Sequence, residues 1–240
     1  MALFHHALTH VGTVRQHNED AILSHPDAGV WVVADGMGGH QGGDFASQCI
    51  IRHMQAACDR YKGNYLVERI RHVLSEAHRE IYLHSQHMPG QPIIGSTVVV
   101  LALEADNFHC FWSGDSRCYL YRGGEFFQLT KDHSEAEAIL AEQGSLEHLN
   151  DNERIRADNT LIHAIGVGEE QAFIEYASGY LYEDDNFYLC SDGINKVYTN
   201  DEIARWLQKN APIETVNKEI VNTAVNTHAP DNLSSIIVEI

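Results

Sequence analysis

The sequence predicts an α+β fold in which antiparallel β-sheets are flanked by helices. Three observations carry this expectation. Short runs rich in Val, Ile, Phe, Trp and Tyr come in blocks bounded by turn residues; a Gly123-Gly124 pair joins two of them as a hairpin; and the helical patterns come in pairs between the blocks. A strict one-for-one alternation of strand and helix would instead predict a doubly wound parallel sheet.

Taken in order, strands are expected over residues 30–34, 96–103, 108–112, 117–121, 186–190 and 233–240. Gly123-Gly124 follows Leu120-Tyr121 and turns the chain back into 125–129. Between the first two strands, Phe45, Cys49, Ile50, Met54, Ala57 and Tyr61 recur at helical spacing, as do Leu66, Ile70, Val73, Leu74, Ala77 and Ile81. Each pattern has one apolar stripe, so each helix should lie on a sheet. The polar stretch 132–159 is only weakly periodic and predicts a short helix around 135–143, then a mobile loop or flap. Thr199 with Glu202 reads as a capping box ahead of Ile203, Trp206 and Leu207, and Pro212 opens a further helix carrying Val216 and Ile220. Pro230 stops it, leaving Asp231-Asn232 in a tight loop before the last strand.

A chain of 240 residues that is 44% hydrophobic can bury a sizeable core, and no Pro-, Gly- or Ser-rich stretch divides it, so one domain over 1–240 is expected. No run approaches the roughly 18 apolar residues of a membrane helix, and the N-terminus lacks a basic segment followed by an apolar stretch. A soluble cytoplasmic protein with no membrane partner is expected. The five cysteines Cys49, Cys58, Cys110, Cys118 and Cys190 contain no CxxC pair, which fits a reducing compartment and argues against a zinc site or a disulfide frame. A net charge of −18 with 16 scattered basic residues excludes nucleic acid as partner, because phosphate backbones are bound by clustered Lys and Arg. Any phosphate chemistry must therefore depend on local cations. The 16 histidines are scattered and form no HExxH pattern.

Four acids stand out against this background. Asp35, Asp115 and Asp192 each follow an apolar run and meet glycine or another small residue, and Asp231 stands just ahead of the last strand. A half-desolvated carboxylate is costly unless a cation or hydrogen bonds compensate it, so four such acids from distant parts of the chain point to a cluster for hard metal ions. The segment 33–43 follows a strand and opens the first long helix with five glycines in eight residues from Gly36 to Gly43. No GK[ST] follows, so it is not a Walker loop. Asp35-Gly36 offers a carboxylate and an adjacent bare carbonyl, both oxygen ligands of the kind that Mg2+ or Mn2+ prefers. In the polar loop 12–20, Arg15 lies five residues before Asp20.

With these motifs in hand, the chain resembles the metal-dependent protein serine/threonine phosphatases of the protein phosphatase 2C (PPM) family, in its compact bacterial form. The resemblance rests on 15–20, 34–43, Gly95-Ser96-Thr97, Gly114-Asp115-Ser116-Arg117, 129–134, Ala164-Ile165-Gly166, Ser191-Asp192-Gly193 and Asp231-Asn232, all in the family's order. It implies a four-layer α-β-β-α sandwich with a flap around residues 132–159. It also implies hydrolysis of phosphoserine and phosphothreonine in proteins by a water activated between two Mn2+ or Mg2+ ions, without a covalent phosphoenzyme.

Carried over residue by residue, Asp35 bridges the two ions, the Gly36 carbonyl binds one, and Asp192 and Asp231 complete the other. Asp20 orients a metal-bound water, and Asp115 with Asp192 holds a third, weaker ion. Arg15 is the phosphate clamp, its alternative being a salt bridge to Glu19 or Asp20, and His40 is the candidate general acid for the leaving oxygen. Met37 stands where some members carry a histidine, Ile162-His163 where Thr-Arg is common, and Ser234 where threonine is usual. The implied partners are proteins phosphorylated on Ser or Thr, with a cognate serine/threonine kinase or a forkhead-associated-domain protein as further candidates, the chain itself acting as a monomer. The rival readings are a pseudophosphatase or phosphoprotein-binding module, which predicts broken ligands, and a small-molecule metallo-phosphoesterase, which predicts a deep pocket with apolar and aromatic lining.

Overall fold

The computed structural model describes residues 3–39, 42–61, 63–168, 171–209 and 211–240. Strand β3 (Val30–Met37) shows why the strand runs are apolar at successive positions rather than at alternate ones. Val30, Val32 and Ala34 point into a core shared with helices, whereas Trp31 and Val33 point into a second core shared with another sheet. Strand β5 (Val98–Glu104) repeats this, with Val98 and Val100 on the helix side and Val99 and Leu101 on the sheet side. A strand covered on both faces has no polar side to show.

Two antiparallel sheets follow from these pairings. One has the order β1 (Phe4–His10), β11 (Leu233–Glu239), β10 (Asn186–Cys190), β7 (Arg117–Arg122), β8 (Glu125–Gln128). The other has the order β2 (Asp20–His25), β3, β5, β6 (Asn107–Ser113), β9 (Glu175–Tyr180), with the short β4 (Gly95–Ser96) paired to β3. Between the sheets lie Trp31, Val33, Val99, Leu101 and Phe108 of one and Phe187, Leu189, Ile236 and Val238 of the other. Helices α1 (Gly42–Arg60), α2 (Asn64–Val67) and α3 (Ile70–His87) cover the β3 sheet, and α6 (Asp192–Asn195), α7 (Asn200–Leu207) and α8 (Ile213–Asn226) cover the β10 sheet. The result is the four-layer order expected, helix over sheet over sheet over helix.

The departures have physical reasons. The three strands not expected from the sequence, β1, β2 and β9, are all sheet edges, where one flank is open and a low content of Val, Ile and Phe suffices. The stripe from Leu66 to Ile81 is broken into α2 and α3, although Leu66 still reaches the core. The expected strand 96–103 is interrupted at Thr97, between β4 and β5. Asp35 and Gly36, expected in a turn after the strand, lie inside β3, where Asp35 pairs with Asp20 and Gly36 with Ser96. The flap is more ordered than expected: besides α4 (Glu135–Gln143), capped by Ser134, it holds α5 (Asp151–Asp158), started by a capping box of Asn150 and Glu153. On the outer layer, Glu80 of α3 meets Arg52 at 2.5 Å and His53 at 2.8 Å, pinning α3 to α1.

Candidate active site

Each acid is delivered by a different strand end. Asp35 sits on β3 directly opposite Asp20 at the start of β2. Like charges facing each other across an antiparallel pair repel, so this register is unfavourable unless something neutralises it. Asp115 occupies the turn between β6 and β7, Asp192 begins α6 just after β10, and Asp231 precedes β11. Asp35, Asp115, Asp192 and Asp231 line one open cleft of about 930 Å3, together with Arg15 and Lys196. Asp20 lies behind them, 4% exposed. The strand ends expected to converge do so.

The local sequence makes that convergence tight. A Cβ built on Gly36 would lie 2.1 Å from the Gly43 carbonyl oxygen, so only glycine lets the start of α1 approach β3 beside Asp35. One on Gly193 would lie 1.9 Å from the Asn232 carbonyl oxygen, so only glycine lets the Asp192 turn meet the Asp231 loop. Asn232 then ties a third segment in. Its Oδ1 accepts from the Glu19 N–H at 2.8 Å, and its Nδ2 donates to the Val11 and His17 carbonyls at 2.9 and 3.0 Å. The loop carrying Arg15 is thereby fixed to the residue that follows Asp231.

Thr97 does the same for Asp35 and Asp115. Its N–H donates to the Asp35 carbonyl at 2.8 Å, and its Oγ1 accepts from the Asp35 N–H at 3.2 Å and bonds the Ser116 hydroxyl at 2.7 Å. His133 holds the other side of that turn, its Nδ1 accepting from the Gly114 N–H at 3.1 Å and its own N–H donating to the Gly114 carbonyl at 3.0 Å. The flap is anchored to the same residue, since the Ile162 N–H donates to the His133 carbonyl at 2.8 Å. Asn159 and Leu161, at the C-terminal base of the flap, line the cleft.

Burial pushes the Asp35 carboxyl well above the ordinary carboxylate range, and the charges of Asp20, Asp192, Asp115 and Asp231 add to the effect. Asp20 is raised to about 7, because burial and the nearby acids outweigh hydrogen bonds that include one from the Ser191 hydroxyl at 2.8 Å. Asp115 is likewise raised to about 7 by burial and by Asp192. Asp231 behaves differently: burial pushes it up, but Lys196 and Arg15 outweigh this and hold it below the usual value. Asp20 Oδ1 and Asp192 Oδ1 are buried without a hydrogen-bond partner. Orphaned carboxylate oxygens, mutually repelling acids and a purely oxygen donor set together fit divalent hard cations.

The positive groups are placed with equal definition. Arg15 grips both Asp231 oxygens, Nε to Oδ1 at 3.0 Å and Nη2 to Oδ2 at 3.0 Å, rather than Glu19 or Asp20. Lys196 Nζ lies 2.5 Å from Asp192 Oδ2 and 3.0 Å from Asp231 Oδ2. Sequence reasoning missed Lys196, whose signal was its place one helical turn after Asp192, and it missed the tying roles of Thr97 and Asn232 inside motifs it had marked. His40 lies outside the described residues. Among the described residues, no Phe, Tyr or Trp lines the cleft.

Comparison with known proteins gives the family. Residues 10–229 match the family model described as Protein phosphatase 2C. The serine/threonine phosphatase Stp of Listeria monocytogenes is 28% identical over 237 residues, covering 95% of this chain and 92% of its own. Among solved structures, PppA, described as a key regulatory component of T6SS in Pseudomonas aeruginosa, superposes with a TM-score of 0.87 at 33% identity, covering 100% of this chain and 98% of that one. The PstP catalytic domain in complex with 2 manganese ions shares the fold, with a TM-score of 0.85 at 24% identity over 99% of this chain and 97% of that one. With a family match reaching from ahead of Arg15 to beyond Asp192, and the acids of both halves gathered in one cleft, the chain belongs to the protein phosphatase 2C family.

Proposed function

We propose that this chain is a metal-dependent protein serine/threonine phosphatase that hydrolyses phosphoserine and phosphothreonine esters. The observation that carries this reading is the cleft itself: five carboxylates, Asp35, Asp115, Asp192 and Asp231 among them, and an arginine line one open surface, with no Phe, Tyr or Trp among the described lining residues. An ester on a protein surface reaches such a cleft, whereas a small-molecule esterase calls for a deep apolar pocket. The expected acids are all present, which counts against a pseudophosphatase.

Asp35, the Gly36 carbonyl, Asp192 and Asp231 are the residues that would hold two Mn2+ or Mg2+ ions, with Asp35 shared. Asp115 and Asp192 would hold a third. Bound there, such ions supply a water of lowered pKa and offset the charge of the phosphoryl group. Asp20, buried beneath Asp35 with one oxygen on Ser191, orients water within the site. Asp231 aims the Arg15 guanidinium, whose fork can take two phosphoryl oxygens, along the wall of the cleft. His40 is the candidate donor of the proton that the departing serine or threonine oxygen needs.

This reading extends to a single catalytic domain over 1–240, acting as a monomer in the cytoplasm. All five cysteines are buried, and Cys49, Cys110, Cys118 and Cys190 are free, in keeping with a reducing compartment; no helix among the described residues is long and apolar enough to cross a membrane. Its substrates are proteins phosphorylated by a serine/threonine kinase, that kinase and a forkhead-associated-domain protein being the partners to try first. Hydrolysis of p-nitrophenyl phosphate and of a phosphothreonine peptide, assayed with Mn2+ and again with EDTA, tests the reading. Turnover of both that EDTA abolishes is expected; no metal-dependent turnover of either would sink it.

A further inference from the structure

The cation nearest the metal-binding acids is one the chain supplies itself. Lys196 closes the turn that begins at Asp192: its backbone N–H donates to the Asp192 carbonyl at 2.8 Å, and this i,i+4 relation turns its side chain back over that residue. The ammonium lies 2.5 Å from Asp192 Oδ2 and 3.0 Å from Asp231 Oδ2, with its side chain 31% exposed. Asp231 Oδ2 also accepts from Arg15 Nη2 at 3.0 Å, so one carboxylate oxygen carries two positive groups. Among the described residues no ion pair reaches Asp35: Arg15 acts on it only at longer range, and its backbone bonds Thr97 and pairs with Asp20 of β2.

We infer that Lys196 is a tethered competitor for the divalent ion at the Asp192 and Asp231 pair, and so sets how tightly that half of the site takes metal. The inference rests on the proposed metal-dependent phosphatase reading. An ammonium and a divalent ion compete for the same oxygens, and the ammonium is present at a fixed, high local concentration because one helical turn holds it there. A bound ion would displace the amine from at least one carboxylate, and a unit positive charge remaining roughly 4 Å away opposes the ion strongly enough to change affinity tenfold or more. The same amine serves the protein by neutralising two acids that would otherwise repel each other and Asp35. Lys196 thus makes the acids tolerable and the metal exchangeable. Among the described residues no ammonium lies at ion-pair distance from Asp35, so the effect of Lys196 falls on the Asp192 and Asp231 end of the site.

The test is calorimetric titration of Mn2+ into EDTA-stripped, dialysed wild type, K196M, K196Q and K196R, together with thermal melts of each before and after Mn2+. Lys196→Met and Lys196→Gln remove the charge at similar length, and Lys196→Arg keeps it. The expected result is that both neutral variants bind one Mn2+ equivalent at least roughly tenfold more tightly than wild type. Stripped, they melt at lower temperature and gain more from Mn2+, while Lys196→Arg stays near wild type in all three measurements. Neutral variants that bind Mn2+ as wild type does, or more weakly, would overturn the inference, as would stripped variants that melt no lower. If the wild type takes up no Mn2+ at all, the metal-dependent reading falls with it; if it binds Mn2+ and the variants do not differ, only the competitor is lost.

Discussion

Burial and four other carboxylates raise Asp35, and among the described residues no ion pair holds it. Replacing Asp35 or Asp192 by alanine is expected to lower kcat by roughly a hundredfold or more, since even outer-shell partners of metal ligands are worth 10- to 100-fold. Near-normal turnover in either variant would refute a shared two-ion centre. Arg15→Ala is expected to cost on the order of 100-fold in kcat/KM, as for other lost transition-state donors. Mn2+ binding by that variant should hold or tighten, because Asp231 loses a competing guanidinium. Unchanged kcat/KM would dismiss the clamp. Asn232→Ala strands the Glu19 N–H and two loop carbonyls. It should cost about 1–3 kcal/mol in denaturant unfolding and raise KM for phosphopeptide, as the Arg15 loop loosens.

At the scale of elements, the caps separate stability from chemistry. Thr199 accepts from the Glu202 N–H while Glu202 reaches back to the Thr199 N–H at 2.8 Å, a closed capping box at the start of α7, on the helical layer away from the cleft. Thr199→Ala should cost about 1 kcal/mol and leave kcat unchanged; a fall in kcat would show that α7 couples to the site. This helix was legible from sequence because its start signal and apolar stripe coincide. Helix α5 was not, although Asn150 and Glu153 carry the same signal, because only Ala157 is buried behind it and no stripe follows. The edge strands β1, β2 and β9 were hidden for the related reason that one flank carries no packing demand. Site legibility followed a different logic. The acids were readable because small residues and apolar runs bracket them, and Gly36 because a close approach admits nothing else. Lys196 was not, since its meaning comes from the proximity of Asp231, which stands 35 residues further along the chain.

For the molecule as a whole, the raised carboxyls link metal, protons and stability. A group whose folded pKa is raised stabilises fully below its unfolded value and loses that contribution as pH rises through the folded one. Asp20 and Asp115, each lifted to about 7 from 3.8, therefore weaken metal-stripped protein progressively between about pH 4 and 7. Mn2+ held among these acids would remove this penalty. His109 and His133, held below the usual histidine range by burial, have the opposite slope, but they contribute to both forms and largely cancel in a difference. The gap in Tm between Mn2+-loaded and EDTA-treated protein should thus widen from pH 5.5 to 7.5, and Mn2+ uptake near neutrality should release protons. A gap that narrows with pH would contradict the raised acids. On the outer surface, a net charge of −18 favours phosphosites flanked by basic residues. Phosphopeptides with Lys beside the phosphothreonine should show lower KM than those with Glu, and the reverse ranking would reject this.

The bonds from Asn232 to Val11, His17 and the Glu19 N–H have a temporal meaning. They join positions more than 210 residues apart, and β11 completes its sheet by inserting between β1 and β10. During synthesis, Asp20, Asp35 and Asp115 leave the ribosome long before their partners at Asp192 and Asp231. Phosphatase capability should therefore appear in a single late step, when the final strand docks, and nascent or C-terminally clipped chains should have none. Contacts this distant in sequence also slow folding, so the acids stand apart until the sheet closes.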